Sequence, residues 1–82
     1  MQKQDLIMDI SEAQSQLEEI IDKLKNKDDY DVIEFEIDIR HAISHINTTY
    51  NMRNWSKEQI SKDYNNLFDQ LRQIPEDKYL IN

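Results

Sequence analysis

The stretch that decides the fold runs from Asp31 to Asn54 and reads DVIEFEIDIRHAISHINTTYNMRN. Its apolar residues recur every three or four positions, which is the period of one face of an α-helix. They are Val32, Phe35, Ile39, Ala42, Ile43, Ile46 and Tyr50. Asp31 stands before the first of them and Glu34 follows three residues later, a pairing typical of a helix N-terminus. We therefore predict a helix over residues 32–52.

The first half of this stretch also fits a second interpretation. Apolar and acidic residues alternate there, which is the period of a half-buried β-strand. The alternating apolar residues are Ile33, Phe35, Ile37 and Ile39. A helix is favoured because no second alternating segment and no hairpin turn accompanies this one, and a lone strand is not stable. The chain also has no Gly, which most tight hairpin turns require.

Two further helices are predicted on either side of the central one. Before it, apolar residues step by four and three alternately, which predicts a helix over 5–26. They are Leu6, Ile10, Ala13, Leu17, Ile20 and Leu24. After it, Ser56 and Gln59 form a capping pair, and Pro75 ends the helix that follows, over 57–74. Short connections then favour an all-α, small antiparallel three-helix bundle, one domain over 1–82 with a short C-terminal tail at 75–82.

The charge balance narrows the classes of partner. The chain has 17 acidic and 10 basic residues, for a net charge of −7. Nucleic acids and anionic membranes are bound through clusters of Lys and Arg, so neither is expected as a partner. A basic protein is compatible with this charge. With no apolar run of membrane-spanning length and no signal-like N-terminus, we expect a cytoplasmic protein.

The two histidines are the first candidates for chemistry. His41 and His45 are four residues apart, so both imidazoles lie on one helix face, and Asp38 continues that face. Such a set can bind a metal ion. However, at 100° per residue this polar stripe lies roughly opposite the apolar stripe, which we take as the core. We therefore interpret it as a solvated face, keep the three residues as weak metal candidates, and predict no cofactor.

Catalysis has no support in the sequence. The chain has no Cys, no Gly-rich phosphate loop, no nucleophile elbow and no H-E-x-x-H motif. Ser44 adjoins His45 in sequence but points about 100° away from it on a helix. We predict that the protein is not an enzyme.

The central helix carries more apolar residues than one core stripe needs. Ile33 and Ile37 fall outside that stripe, and a helix that is apolar on two sides is usually buried on both. The predicted contact surface comprises Ile33, Glu34, Glu36, Ile37, Asp38 and Trp55. The sequence thus indicates a small acidic protein–protein interaction module, such as an inhibitor or immunity-like antagonist of a basic protein. The alternatives are a metal-binding helical protein with His and carboxylate ligands, or a self-associating scaffold piece that forms a homodimer.

Overall fold

The computed structural model describes residues 1–74, and this part of the chain is helical without a strand. Its helices are α1 (Lys3–Asn26), α2 (Val32–Asn51), α3 (Lys57–Asp63) and α4 (Phe68–Leu71). The predicted all-α class is therefore confirmed for the described residues. The predicted tail, 75–82, lies outside them.

Both predicted capping residues begin helices as expected. The carboxylate of Asp31 accepts a hydrogen bond from the backbone N–H of Glu34 at 2.9 Å, which fixes the start of α2. The hydroxyl of Ser56 accepts one from the N–H of Gln59 at 3.1 Å, which fixes the start of α3. Each cap satisfies a donor that has no partner within the helix. The alternative strand over the first half of the central stretch is therefore wrong.

The helices α1 and α2 pack against each other as an antiparallel hairpin. Two ion pairs, Lys27 with Glu34 and Lys23 with Asp38, and a contact of Asp9 with His45 join α1 and the residue that follows it to α2. From Asp9 through Lys23 to Lys27 the chain runs forward, whereas their partners run backward from His45 through Asp38 to Glu34. The two helices therefore point in opposite directions. Ala13 and Ala42 are buried in the hairpin, and their small side chains suit close approach of two helices.

The third predicted helix is divided. Sequence periodicity predicts one helix over 57–74, whereas the structure has α3, a turn over 64–67, and the four-residue α4. Two Asn residues, Asn65 and Asn66, lie in the turn, and the side-chain amide of Asn66 donates to the carbonyl of Lys62 at 3.3 Å. Asn competes with the helical backbone for hydrogen bonds in this way. Two short elements thus replace the long third helix that a regular three-helix bundle needs.

The buried core of residues 1–74 is small. The buried apolar side chains are Ala13, Ile20, Ala42, Met52 and Leu71. Two of these are alanines, so the hydrophobic contribution of this core is low for a chain of this length. Among the described residues, no helix is long and apolar enough to cross a membrane.

Candidate protein-binding surface

The two ion pairs and the contact of Asp9 with His45 all lie on one side of the α1–α2 hairpin. The ammonium of Lys23 lies 3.0 Å from Oδ2 of Asp38, and that of Lys27 lies 2.7 Å from Oε2 of Glu34. The phenol of Tyr30 donates to Oδ2 of Asp38 at 2.8 Å. We call this side the polar face, defined by Asp9, Gln16, Lys23, Glu34, Asp38, His41 and His45. It is the side of α2 that we predicted to point away from the rest of the fold.

That prediction is wrong for a specific reason. Sequence periodicity alone favours the most apolar side of α2 as the side that faces α1. In the structure, Asp38 and His45 instead meet Lys23 and Asp9 of α1. Nδ1 of His45 lies 3.4 Å from Oδ1 of Asp9, and the ring of His41 stacks on that of His45 with centroids 5.3 Å apart.

The electrostatics of the polar face follow from these contacts. The hydrogen bond from Tyr30 and the ammonium of Lys23 lower the pKa of Asp38. The pKa of Tyr30 is raised to about 12, mainly by partial burial and secondly by the hydrogen bond to Asp38. Burial raises the pKa of Asp9, although His45 opposes the shift. The hydrogen bond to Glu34 raises the pKa of Lys27. These groups form internal pairs that hold α1 to α2.

Residues 57–74, which contain α3 and α4 and which we call the third segment, cover the N-terminal end of the polar face on α1 and the C-terminal half of α2. The ammonium of Lys57 lies 3.3 Å from Oδ2 of Asp5. The amide of Asn47 donates to the carbonyl of Arg72 at 3.0 Å, and that of Asn51 to the carbonyl of Leu71 at 2.8 Å. These contacts place α3 and α4 away from the apolar stripe of the hairpin.

A small cavity lies beneath this segment. Its volume is about 110 Å³, and it is lined by Asp9, His41, Ser44, His45, Thr48, Tyr64, Phe68 and Arg72. Pockets that bind drug-sized ligands usually measure about 300–1,000 Å³, so this cavity is too small for one. Within residues 1–74 there is no group of three or more His, Cys, Asp or Glu side chains placed to bind a metal ion. The structure therefore adds no support to the weak metal candidates Asp38, His41 and His45.

The opposite side of the hairpin is apolar and open to solvent. At 100° per residue, with Ala13 and Ala42 at the helix–helix contact, one side of each helix carries mainly apolar residues near that contact, with Lys3 at the start of α1 as an exception. We call this side the apolar face, defined by Leu6, Ile10, Leu17, Ile21, Leu24, Val32, Phe35, Ile39, Ile43 and Ile46. Leu24, Val32 and Phe35 line one shallow depression together with Tyr30 and Asp31, which places α1 and α2 residues on a common surface.

The exposure of the apolar face is unusual for a folded protein. Seven of its ten side chains have between 38% and 66% of their surface accessible, from Leu17 at the low end to Val32 at the high end. Leu6, Phe35 and Ile39 are half-buried. Most of the apolar residues that sequence periodicity assigned to the core are therefore on this surface.

The six residues predicted as a contact surface fall into two groups. Ile33 and Ile37 are each 65% exposed, and Glu36 is exposed beside them on α2. Glu34 and Asp38 are instead engaged in the polar face by Lys27, Lys23 and Tyr30. Trp55 is half-buried in the connection between α2 and α3. The structure therefore separates the isoleucines from two of the acids with which they were grouped.

The sequence contains a signal that could have identified the correct orientation. On α1 the polar residues Asp9, Gln16 and Lys23 are seven apart, so they form a stripe of their own. Lys23 and Lys27 are four residues apart, and so are Glu34 and Asp38. In an antiparallel pair of helices the first lysine then faces the second acid, and the second lysine faces the first acid. Matching these charges would have placed the polar stripes against each other and left the apolar residues outside.

Comparison with known proteins does not identify a relative. No protein-family model matches the chain, and neither a curated protein nor a solved structure is significantly similar to it. The function is therefore inferred from the surfaces of the chain itself.

Proposed function

We propose that the protein is a protein–protein interaction module that binds through the apolar face of the α1–α2 hairpin. The observation that carries this proposal is the exposure of that face along most of both helices, from Ile10 and Ile46 at one end to Leu24 and Val32 at the other. Contiguous apolar surface of this extent on a folded domain is typical of an interface.

The energetics of the hairpin support an occupant. Burying a fully exposed Leu, Ile, Val or Phe contributes roughly 1.5–3 kcal/mol, and seven side chains of the apolar face still have between 38% and 66% of their surface to bury. The described core buries five apolar side chains, of which two are alanines. A partner that covers the apolar face would therefore add hydrophobic stabilisation comparable to that of the core.

The position of the third segment also supports this proposal. Its contacts with Asp5, Asn47 and Asn51 lie away from the apolar face. A bundle with the predicted apolar stripes at its centre would thus be completed by helices from outside the hairpin. This arrangement retains the bundle expected from the sequence but assigns its remaining helices to another chain.

Charge supports the proposal less than apolar area does. An antagonist of a basic protein would present its carboxylates to the partner, but Glu34 and Asp38 already pair with Lys27 and Lys23. If such an exposed pair opens so that its carboxylate can bind a basic partner, one charged contact replaces another and the net gain in binding free energy is small. Ile33 and Ile37 are also exposed, but they lie on another side of α2, outside the apolar face, and the proposal does not use them.

Thiol footprinting tests the proposal directly, because the chain has no Cys of its own. Leu17→Cys places a thiol on the apolar face, and Ser11→Cys places one on the outer side of the same helix, about 120° away. We expect maleimide to label Cys introduced at position 17 much more slowly than Cys introduced at position 11 in an extract of cells that produce the protein. Equal labelling at both positions would overturn the proposal.

A further variant separates a partner from the chain's own C-terminal tail. Leu80 and Ile81 are apolar and follow the described residues. In a double variant, Leu80→Asp with Ile81→Asp, protection at position 17 should persist if another chain covers the face. If protection at position 17 is lost in the double variant, and does not depend on protein concentration when the tail is unchanged, the tail covers the face and the proposal is wrong.

A further inference from the structure

We propose that the partner is a second copy of this chain, with two hairpins packed apolar face to apolar face as a symmetric four-helix bundle. This inference rests on the proposed function and identifies the partner. It follows from the shape, the charge and the size of the apolar face.

The shape of the hairpin matches half of such a bundle. The helices α1 and α2 have 24 and 20 residues, which gives lengths of about 36 and about 30 Å. Two long antiparallel helices joined by a short connection form one layer of a four-helix bundle. A twofold interface uses the same patch on both copies, so the patch must be complementary to itself. A continuous stripe of Leu, Ile and Val meets that condition because its contacts are not directional.

The charges of the chain allow two copies to approach through this face. At helical positions bordering the apolar face the charged residues are Lys3, Glu18, Lys25 and Glu36, two of each sign. Asp31 adds one acidic residue at the end of the face, where it lines a depression with Leu24 and Val32. Most of the remaining acidic residues lie elsewhere: Asp28 and Asp29 are in the connection, and Glu12, Glu19 and Asp22 occupy the other sides of α1. A basic partner would thus find only a small excess of negative charge around the apolar face, and a second copy would meet only weak repulsion there.

The size of the face is appropriate for a stable dimer. Two adjacent helices present a surface about 30 Å long and about 20 Å wide, or on the order of 600 Å² in projection. A stable protein–protein interface buries about 800 Å² on each partner, and the accessible area of a corrugated surface exceeds its projection. Homodimer interfaces are also more apolar than other interfaces, as this face is.

Analytical ultracentrifugation of the 82-residue chain, across a wide concentration range, tests this inference. We expect the wild type to sediment as a dimer that dissociates on dilution. Ile46→Asp should raise the dimer dissociation constant at least about a hundredfold, because each copy would bury an unpaired carboxylate. Ile37→Asp is the matched control, since Ile37 is exposed on another side of the same helix. We expect it to leave the dissociation constant within about threefold of the wild-type value.

The outcomes distinguish this inference from the function on which it rests. A wild type that stays monomeric at the highest concentration overturns the second copy, whether or not the variants fold. If position 17 is nevertheless protected in cell extract, binding through the apolar face stands with a different partner. A monomer whose position 17 is labelled freely overturns both. If Ile37→Asp dissociates the dimer and Ile46→Asp does not, the dimer interface lies outside the apolar face and the inference is wrong.

The melting temperature of the unmodified chain gives a second readout that needs no variant. If folding buries the apolar face in a dimer, mass action makes the melting temperature rise with protein concentration. A melting temperature that does not change with concentration would contradict the inference.

Discussion

Lys23 and Asp38 form an ion pair across the hairpin, with Nζ of Lys23 3.0 Å from Oδ2 of Asp38. Tyr30 donates a hydrogen bond to the same carboxylate oxygen at 2.8 Å. Because both contacts favour the charged carboxylate, the pKa of Asp38 is below its usual value. Asp38 therefore links α2 to α1 through Lys23, and to the loop between the two helices through Tyr30.

The first prediction concerns the pH dependence of this contact. A depressed pKa in the folded state means that Asp38 contributes stability above the pKa of an unfolded Asp, about 3.9, and that the contribution is lost as the pH falls through the folded-state pKa. Asp38→Asn should therefore lower the melting temperature by a few degrees at pH 7, and the difference should close in acid. Circular dichroism melts over a range of pH values measure it.

Glu36→Gln provides the matched control for this prediction. Glu36 is exposed two residues away on the same helix and forms no ion pair within residues 1–74. It should melt like the wild type at every pH. A deficit of Asp38→Asn that is equally large at pH 3 and pH 7 would show that the role of Asp38 is not electrostatic.

The second prediction concerns the N-terminal cap of α2. Asp31 accepts from the N–H of Glu34 at 2.9 Å, so Asp31→Ala leaves that donor without its helical cap. The expected loss is about 1 kcal/mol in the free energy of unfolding, measured by urea denaturation at a fixed protein concentration. Asp29→Ala removes the same charge from the connection without removing the cap and should cost less. Equal losses for the two variants would attribute the effect to charge alone.

The third prediction concerns the close contact between the two long helices. Ala42 is completely buried in α2, and Ala13 is 3% exposed in α1. Ala42→Leu would add three carbon atoms where the helices meet, and overpacking of this kind costs about 1–3 kcal/mol. Ser11→Leu adds a similar volume on the exposed side of α1 and should be nearly neutral. If Ala42→Leu is tolerated as well as Ser11→Leu, the hairpin is not closely packed at this point.

The helices of this protein could be predicted from its sequence more reliably than their orientation. The caps at Asp31 and Ser56 and the start and end of α2 depend on neighbouring residues, and the structure confirms them to within a residue. The division between α3 and α4 was missed, because the apolar period continues through Asn65 and Asn66 while the backbone does not. Local signals of this kind act over a few residues and leave open how a helix is rotated.

The orientation depends on which surface meets which, and periodicity does not determine that. Periodicity predicts that the most apolar stripe of α2 faces α1, yet in the structure Asp38 and His45 meet Lys23 and Asp9 there. Had the charges of both helices been paired first, the apolar face would have emerged as the surface left over. If a second copy covers this face, the predicted core stripe is a core between chains.

The last prediction concerns Asp9, whose charged form is disfavoured by partial burial. Its pKa is raised by burial, although His45 opposes the shift. The folded state therefore binds the proton of Asp9 more tightly than the unfolded state does, so stability falls as the pH rises through the unfolded-state and then the folded-state pKa. Asp9→Asn, a neutral isostere, should exceed the wild type by a few tenths of a kcal/mol at pH 7, a modest gain because Asp9 is only partly withdrawn from water. The gain should vanish at pH 3, where Asp9 is protonated in both states, and Glu18→Gln on the exposed side of α1 should show no gain at either pH. A loss of stability at pH 7 in urea denaturation would instead show that the contact between Asp9 and His45 outweighs the cost of burying the charge.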